Sequence, residues 1–248
     1  MTASPVSITD SARKIVAAAL QEFGGSLAVL TSFQREGVVI ADLAMEADAS
    51  IPIMTIDTGR LPTGTLHMIS EIEQRYKISV ERILPDPAEV TAMTETHGRD
   101  LFYFGLAQRR LCCHVRKVRP LAARMQSVSA YFTGIRRTQS ESRGNAEFID
   151  RSGAPIKISP LADWTSEDVA RYTLEHGLPE HPLYARGYTS IGCDPCTRAV
   201  EPGEDERAGR WWWEYDAVKE CGLHFTPEGK VERTVDVLLR DVLTKAHA

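Results

Sequence analysis

The stretch SLAVLTSFQREGVVIADLAMEADA, residues 26–49, decides the fold class. Its first eight residues, 26–33, form a short apolar run that is rich in strand-forming side chains. Residues 35–49 follow with helical spacing, because four apolar positions recur along one stripe of a helix. The pattern therefore predicts a strand, a loop and a helix in succession.

Strands and helices alternate along much of the chain. The predicted strands after the first are residues 51–58, 78–84, 128–134 and 156–164. The remaining predicted helices are residues 8–23, 62–77, 105–127 and 165–176. Thr9 or Asp10 would cap the helix at 8–23, Pro120 would interrupt the helix at 105–127, and Thr165 or Ser166 would cap the helix at 165–176. This alternation predicts an α/β fold, with a mostly parallel sheet flanked by helices.

Glycine, proline and charged residues dominate from about residue 178, which predicts irregular structure followed by a mobile C-terminal tail. We therefore expect a single α/β domain over residues 1–200. A tail over residues 201–248 would carry Cys221.

The composition is that of an ordinary globular protein. The chain has 248 residues, of which 43% are apolar and 25% charged, and this is enough for a full core. A net charge of -5 gives no general attraction to a polyanion, so no nucleic-acid partner is expected. The N-terminus lacks a signal-peptide pattern, and no apolar run approaches the roughly 20 residues that span a bilayer. We expect a cytoplasmic protein without a membrane partner.

Four of the five cysteines form a set with metal-ligand spacing, because Cys112 and Cys113 are adjacent and Cys193 and Cys196 form a C-x-x-C turn. Thiolates are the usual ligands of a [4Fe-4S] cluster or a structural zinc. Adjacent cysteines on a helix point about 100° apart, which favours a cluster with separate iron corners. Buried apolar cysteines and a redox-active C-x-x-C pair are the alternatives.

The fifth cysteine, Cys221, stands in the polar sequence KECGLH. Lys219 and His224 supply positive charge nearby, which favours the thiolate form and predicts a nucleophile. An accidental surface thiol is the alternative.

Polar residues follow the first two predicted strands. The segments 32–37 and 57–60 would lie at the carboxyl edge of the sheet, where open α/β folds bind ligands and where helix N-termini bind anions. These loops predict a nucleotide cleft, although a βα loop of this composition is also commonplace.

Cationic side chains are grouped near the cysteines and after the fourth predicted strand. They are Arg109, Arg110, Arg116, Lys117, Arg136, Arg137, Arg143, Arg207 and Arg210. Guanidinium groups bind phosphate and sulfate through two parallel hydrogen bonds, so the grouping predicts a small-anion site. For any single arginine, a solvated surface position is the alternative.

Five separated motifs, taken in order, resemble those of the assimilatory adenosine 5′-phosphosulfate (APS) reductases. They are CCxxRK at 112–117, GIRRTQS at 134–140, GCDPCTR at 192–198, GRWWWE at 209–214 and ECGLH at 220–224. The resemblance runs from about residue 25 to 224. It implies an adenine nucleotide alpha hydrolase-like fold in which residues 32–37 form a modified phosphate loop. The Ser-Gly-Gly form of that loop is missing, so ATP hydrolysis is not expected.

The resemblance also implies roles for individual residues. Cys112, Cys113, Cys193 and Cys196 would hold a [4Fe-4S] cluster, Cys221 would be the nucleophile, and Lys117 would link cluster and substrate electrostatically. Arg143, Arg207 and Arg210 would contact the phosphosulfate group, and Ser32, Phe33, Gly37, Asp57, Thr58 and Gly59 would hold the nucleotide.

The implied enzyme is an oxidoreductase of sulfate assimilation and cysteine biosynthesis. It would convert APS to sulfite and AMP through an S-sulfocysteine, which thioredoxin or a similar dithiol would reduce. Three alternative functions remain. The first is a reductase of 3′-phosphoadenosine 5′-phosphosulfate (PAPS), a family that usually lacks the four cluster cysteines. The others are an iron-sulfur tRNA-thiolating ATP pyrophosphatase and a non-catalytic zinc or iron-sulfur module.

Residues 225–248 extend beyond the motif that ends near His224, and they include the amphipathic helix candidate ERTVDVLLRDVLTKA. This extension could cover the tail, pack on the sheet or mediate assembly into a homo-oligomer.

Overall fold

Six short strands form one sheet in a computed structural model that describes residues 7–140, 143–214 and 229–247. The strands are β1 (Leu27–Leu30), β2 (Ile53–Ile56), β3 (Glu81–Ile83), β4 (Ala130–Phe132), β5 (Ile149–Asp150) and β6 (Ile156–Ile158). Their order is β3-β2-β1-β4-β6-β5. β1 pairs in parallel with β2 and β4, β4 pairs in parallel with β6, and only β5 is shown to be antiparallel to its neighbour. The predicted α/β class with a mostly parallel sheet is confirmed.

The helices of the described residues account for most of the remaining regular structure. They are α1 (Ile8–Phe23), α2 (Arg35–Ala47), α3 (Thr63–Tyr76), α4 (Pro87–His97), α5 (Leu106–Cys113), α6 (Arg119–Met125), α7 (Ser166–Glu175) and α8 (Gly229–Ala246). The N-cap of α1 is Ser7, whose Oγ accepts the Asp10 N–H at 3.0 Å, so the predicted caps at Thr9 or Asp10 were wrong by two or three residues. None of these helices is both long enough and apolar enough to cross a bilayer.

A π-helical turn, His114–Val118, joins α5 to α6. The helical segment predicted over residues 105–127 is confirmed, and Pro120 is the second residue of α6. A π-helical turn adds a residue to the turn and changes the direction of the side chains that follow. The turn comes directly after Cys112 and Cys113. It therefore sets the directions of the side chains of residues 116 and 117 relative to those of the two cysteines.

The single α/β domain groups into two compact units. The first consists of the described residues of Met1–Thr55, Pro62–Arg82 and Met125–Arg186. Its apolar core draws on strands and helices alike, with Val29, Ile40, Phe132 and Trp164 no more than 1% exposed. Because apolar residues cover the strands and the helices that pack on them, this unit carries the main hydrophobic core.

The second unit consists of Ile56–Leu61, Ile83–Arg124 and the described residues of Gly187–Ala248. It has an apolar cluster of its own, in which Cys112 and Cys196 pack with Leu111 and with Leu239 and Val242 of α8. The helix predicted in the C-terminal extension is therefore present, and it packs on α4 and α5.

Candidate functional site

The sheet has a topological switch point between β1 and β4. From β1 the chain proceeds to β2 and β3 on one side, whereas β4 and β6 lie on the other. Ligands of open α/β sheets bind at this point, beyond the carboxyl ends of the strands. Residues 31–34 follow β1 here, and residues 133–136 follow β4.

The loop after β1 is tightly folded around Thr31. The Phe33 N–H donates to Thr31 Oγ1 at 2.9 Å, and Phe33 adopts a φ of 55° with its side chain fully buried. A Cβ at Gly37 would lie 2.2 Å from the same Oγ1, so only glycine fits there. Ser32 is exposed and its Oγ accepts from Gln34 Nε2 at 3.0 Å. The loop therefore presents Ser32 and backbone groups, and not the Phe33 ring, to a ligand.

The loop after β4 approaches α2 closely. A Cβ at Gly134 would lie 2.7 Å from the Glu36 backbone, and Arg136 Nε donates to Glu36 Oε1 at 2.8 Å with its side chain buried. Arg137 pairs with Asp163. Arg136 and Arg137 therefore each have a carboxylate partner in the fold, and the small-anion role suggested by their grouping in the sequence stays a prediction. Arg143 donates to Gln139 Oε1 at 2.6 Å.

A segment that the sequence left as irregular packs on the N-termini of α2 and α3. Tyr184 Oη accepts the Arg35 N–H at 3.2 Å. The Leu183 N–H donates to His181 Nδ1 at 3.2 Å, so Nε2 carries the proton and donates to Thr65 Oγ1 at 3.0 Å. Burial lowers the pKa of His181 to about 4, and the imidazole is neutral. No periodic pattern in this stretch could have revealed these contacts.

The second unit contains all four cysteines that were predicted as metal ligands. Cys112 and Cys113 end α5, and Cys193 and Cys196 flank a short helical turn. Burial, with a smaller contribution from the nearby Cys193, raises the pKa of the Cys112 thiol to about 11 and that of the Cys196 thiol to about 12. The thiols of Cys112, Cys193 and Cys196 are therefore close enough to influence one another.

The segment after β2 contacts both halves of the cysteine set, which are the Cys112–Cys113 pair with its helix and the Cys193–Cys196 turn. Thr58 Oγ1 lies 3.2 Å from Cys193 Sγ and accepts the Arg60 N–H at 3.3 Å, so its own proton is available to the sulfur. Arg116, on the π-helical turn, donates to the Thr58 carbonyl at 2.9 Å. Gly59 has a φ of 70° and donates its N–H to Asp57 Oδ1 at 3.0 Å. The structure thus places Asp57, Thr58 and Gly59 in the unit that holds the cysteines.

The four cysteines are candidate ligands of a metal centre. Among the described residues, no three of these sulfur atoms lie within 4.8 Å of one another. Tetrahedral zinc, with Zn–S bonds of about 2.3 Å, would need sulfurs about 3.8 Å apart. Three cations also act on the thiols, since Arg60, Arg116 and Arg210 each lower the pKa of Cys112 or Cys196. Four thiolates beside fixed positive charge match the needs of an iron-sulfur cluster.

Arg210 lies beside the C-x-x-C turn. A Cβ at Gly192 would lie 2.1 Å from Arg210 Nη2, and the guanidinium stacks over the Trp211 ring at 4.7 Å. The Nε atoms of Arg210 and Arg116 are buried and have no hydrogen-bond partner in the described part of the chain. Arg207 donates to Ser190 Oγ at 3.4 Å, and Lys117 lies half-buried on the π-helical turn. These cations are suited to an anionic ligand.

Cys221 lies outside the described residues, as does the stretch 215–228 that contains it. Its predicted role and the mobility predicted for this stretch therefore stay predictions.

A family model described as "Phosphoadenosine phosphosulfate reductase domain" matches residues 26–199. The chain belongs to this family. The matched span contains the β1 loop and all four cysteines of the metal set, and it ends before Arg207 and Arg210.

Relatives within the phosphoadenosine phosphosulfate reductase family are similar over most of their length. An adenosine 5′-phosphosulfate reductase of Burkholderia cepacia is 43% identical over 198 residues, which cover 79% of each chain. One of Agrobacterium fabrum is 42% identical over 203 residues, covering 81% of this chain and 78% of that protein.

Solved structures support the fold of the family. A phosphoadenylyl-sulfate reductase from Candida auris has a TM-score of 0.63 and 24% identity, covering 81% of this chain and 99% of that one. An FMN adenylyltransferase of Candida glabrata has a TM-score of 0.54 and 16% identity, covering 96% of this chain and 84% of that one. At these identities the similarity establishes the fold alone.

Proposed function

We propose that this protein is an oxidoreductase of assimilatory sulfate reduction that converts APS to sulfite and AMP. The observation that carries the proposal is the four-cysteine set, gathered in one unit beside Arg116 and Arg210, in a chain whose similar family members are named APS reductases. PAPS reductases usually lack that set, so it favours APS as the substrate.

Cys112, Cys113, Cys193 and Cys196 would hold a [4Fe-4S] cluster. When bound, the cluster would supply a fixed charged centre near the cations without net electron transfer. Because thiolates are the ligands, binding must remove the protons that burial otherwise favours on Cys112 and Cys196. Arg60, Arg116 and Arg210 offset part of that cost by lowering the pKa of these thiols.

The nucleotide would bind through the loops that follow β1 and β2. The residues that would contact it are Ser32, Phe33 through its backbone, Gly37, Asp57, Thr58 and Gly59. The fully buried ring of Phe33 would act by shaping the loop.

The phosphosulfate group would bind to cations. Arg210 and Arg207 offer guanidinium groups, Arg143 is a further contact, and Lys117 supplies a compact charge. The unpartnered Nε of Arg210 supports this assignment. These cations would stabilise the negative charge that develops on the leaving AMP and on the transferred sulfonate.

The reaction would proceed in two steps. The Cys221 thiolate attacks the sulfate sulfur of APS, an S–S bond forms, and the S–O bond breaks with its electron pair leaving on AMP. A dithiol such as thioredoxin then attacks the Cys221 sulfur and expels sulfite, and its second thiol resolves the mixed disulfide. The dithiol supplies the two electrons and becomes a disulfide.

Substrate competition and mass spectrometry test the proposal. Sulfite release from APS and from PAPS is compared at equal concentration with thioredoxin as the reductant, and we expect APS to be preferred. Without reductant, APS should add one sulfonate group to Cys221. The Cys221→Ser variant should keep its iron and lose both the adduct and the activity. A preference for PAPS, or an unmodified Cys221 in active protein, would contradict the proposal.

A further inference from the structure

Arg109 lies on α5, three residues before Cys112, and it is 1% exposed. Its Nε and Nη2 atoms each donate to one carboxylate oxygen of Glu214, both at 2.9 Å, and the Glu214 side chain is 8% exposed. A bidentate pair of this kind fixes both distance and orientation. Since either charge left alone in this setting would be strongly destabilising, the pair ties α5 to the segment that ends at Glu214.

Trp211 extends this connection to the C-x-x-C turn. The Arg109 guanidinium lies 4.3 Å from the centre of the Trp211 ring, which is almost fully buried. The backbone N–H of Trp211 donates to the Cys196 carbonyl at 3.1 Å. Trp211 also adopts a φ of 41°, a strained conformation for a bulky residue that persists only where the surroundings hold it.

Two links therefore join the halves of the cysteine set, one on each side of the cysteine pair. One turn after the pair, Arg116 binds the Thr58 carbonyl, and Thr58 contacts Cys193. One turn before it, Arg109 binds Glu214 and Trp211, and Trp211 contacts Cys196. Each link ends at a different cysteine of the C-x-x-C turn.

We infer that Arg109 and Glu214 are positioning residues for the metal centre: their buried pair sets the spacing between Cys112 and Cys113 on α5 and the Cys193–Cys196 turn. The inference rests on the proposed cluster. It assigns Arg109 a part that differs from the anion binding suggested by its place among the grouped cations.

Two paired variants, one of a buried ion pair and one of a partly exposed ion pair, test this role. Arg109→Met with Glu214→Gln removes both buried charges together, a change that buried pairs often tolerate. The control is Arg198→Met with Glu204→Gln, which removes an equally well-formed pair, with two 2.7 Å contacts, that is about one third exposed. Circular dichroism checks the fold of each variant, and iron and sulfide are measured after identical anaerobic reconstitution.

The rate of iron release to a chelator is the main readout. We expect release from the Arg109/Glu214 variant to be about tenfold faster or more, with the control pair close to wild type, because residues that orient metal ligands typically change metal affinity by about 10- to 100-fold. A folded Arg109/Glu214 variant that holds iron as long as wild type would overturn the inference.

A second variant covers the case in which the double variant does not fold. Arg109→Lys keeps the charge but lacks the planar fork that fits Glu214 and stacks on Trp211. It should release iron faster than wild type, and an unchanged rate would refute the positioning role. A preference for PAPS in the activity assay would leave these iron measurements valid, whereas wild-type protein that binds no iron would overturn both the proposed centre and this inference.

Discussion

The buried arginines of this protein differ in what their guanidinium groups bind. Arg109 and Arg136 are each held by a carboxylate, whereas Arg116 and Arg210 retain a buried Nε without a hydrogen-bond partner in the described residues. Incompletely bonded guanidinium groups are costly unless an anion completes their contacts. Sequence grouping cannot separate these two kinds, because their partners come from distant parts of the chain.

Gly192 provides a direct test of the Arg210 position. In Gly192→Ala the new methyl group would overlap Arg210 Nη2, and the flexible side chain would move away at little cost to the fold. We expect kcat/KM for APS to fall by about 10- to 100-fold, since small displacements of a positioning group cost that much. Iron content should stay unchanged. Steady-state kinetics and iron analysis measure both quantities.

Gly153→Ala is the matched control, because a Cβ there would meet no atom within 4 Å. It should behave as wild type. If both alanine variants have the same kcat/KM, then Arg210 does not act on the substrate.

His181 predicts a pH dependence of stability. Its pKa in the folded protein is about 4, below the ordinary value of 6.5, so between these values the unfolded chain binds more protons than the folded one. The contribution of neutral His181 is therefore fully present above about pH 6.5 and decreases as the pH falls. At about pH 5.5 the loss should be about 1.4 kcal/mol.

Denaturant unfolding of wild type and His181→Gln measures this effect, because the variant lacks the titrating group. According to the linkage relation, the difference in unfolding free energy between the two proteins should decrease by about 1.4 kcal/mol between pH 7.5 and pH 5.5. A difference that does not depend on pH would show that folding leaves the pKa of His181 unchanged.

At the level of secondary structure, two helical features contribute to the proposed metal site. The π-helical turn after Cys113 directs Arg116 toward the Thr58 carbonyl, and α8 brings Leu239 and Val242 into the apolar cluster that contains Cys112 and Cys196. The apolar surroundings of a metal site control solvent access to it. α8 is therefore expected to shield the centre.

Substitutions on opposite faces of α8 test this shielding. Val242 is fully buried and Val237 is 51% exposed, so Val242→Asp should weaken the packing of α8 while Val237→Asp should not. We expect cluster absorbance in air to decay several-fold faster in Val242→Asp. Equal decay in the two variants would mean that α8 does not protect the centre.

Across the whole molecule, metal removal should affect the two units unequally. The first unit has its own sheet-based core, whereas the apolar cluster of the second includes two of the four metal-ligand cysteines. Hydrogen exchange compared with and without metal should therefore show loss of protection in residues 106–125 and 190–214. Residues 27–30 and 130–132 should keep theirs. Uniform loss across both groups would indicate that the units unfold together.

The sequence predicted five of the six strands and a mostly parallel sheet, because short apolar runs alternate with amphipathic helices. It missed α4, whose weak apolar periodicity gives no stripe, and the two-residue strand β5, which is too short to show alternation. The four cysteines were identified from their spacing and are gathered in one unit. Their connections through Thr58, Trp211 and Glu214 depend on the fold and leave no local pattern.

The anchoring of Glu214 by Arg109 also limits how far Cys221 can travel. Cys221 follows seven residues later, and a chain spans at most about 3.6 Å per residue, so the two Cα atoms are never more than about 25 Å apart. One thiol confined to such a sphere has an effective concentration on the order of tens of millimolar. A free thiol at ordinary millimolar levels should therefore substitute poorly for the side chain lost in Cys221→Ala.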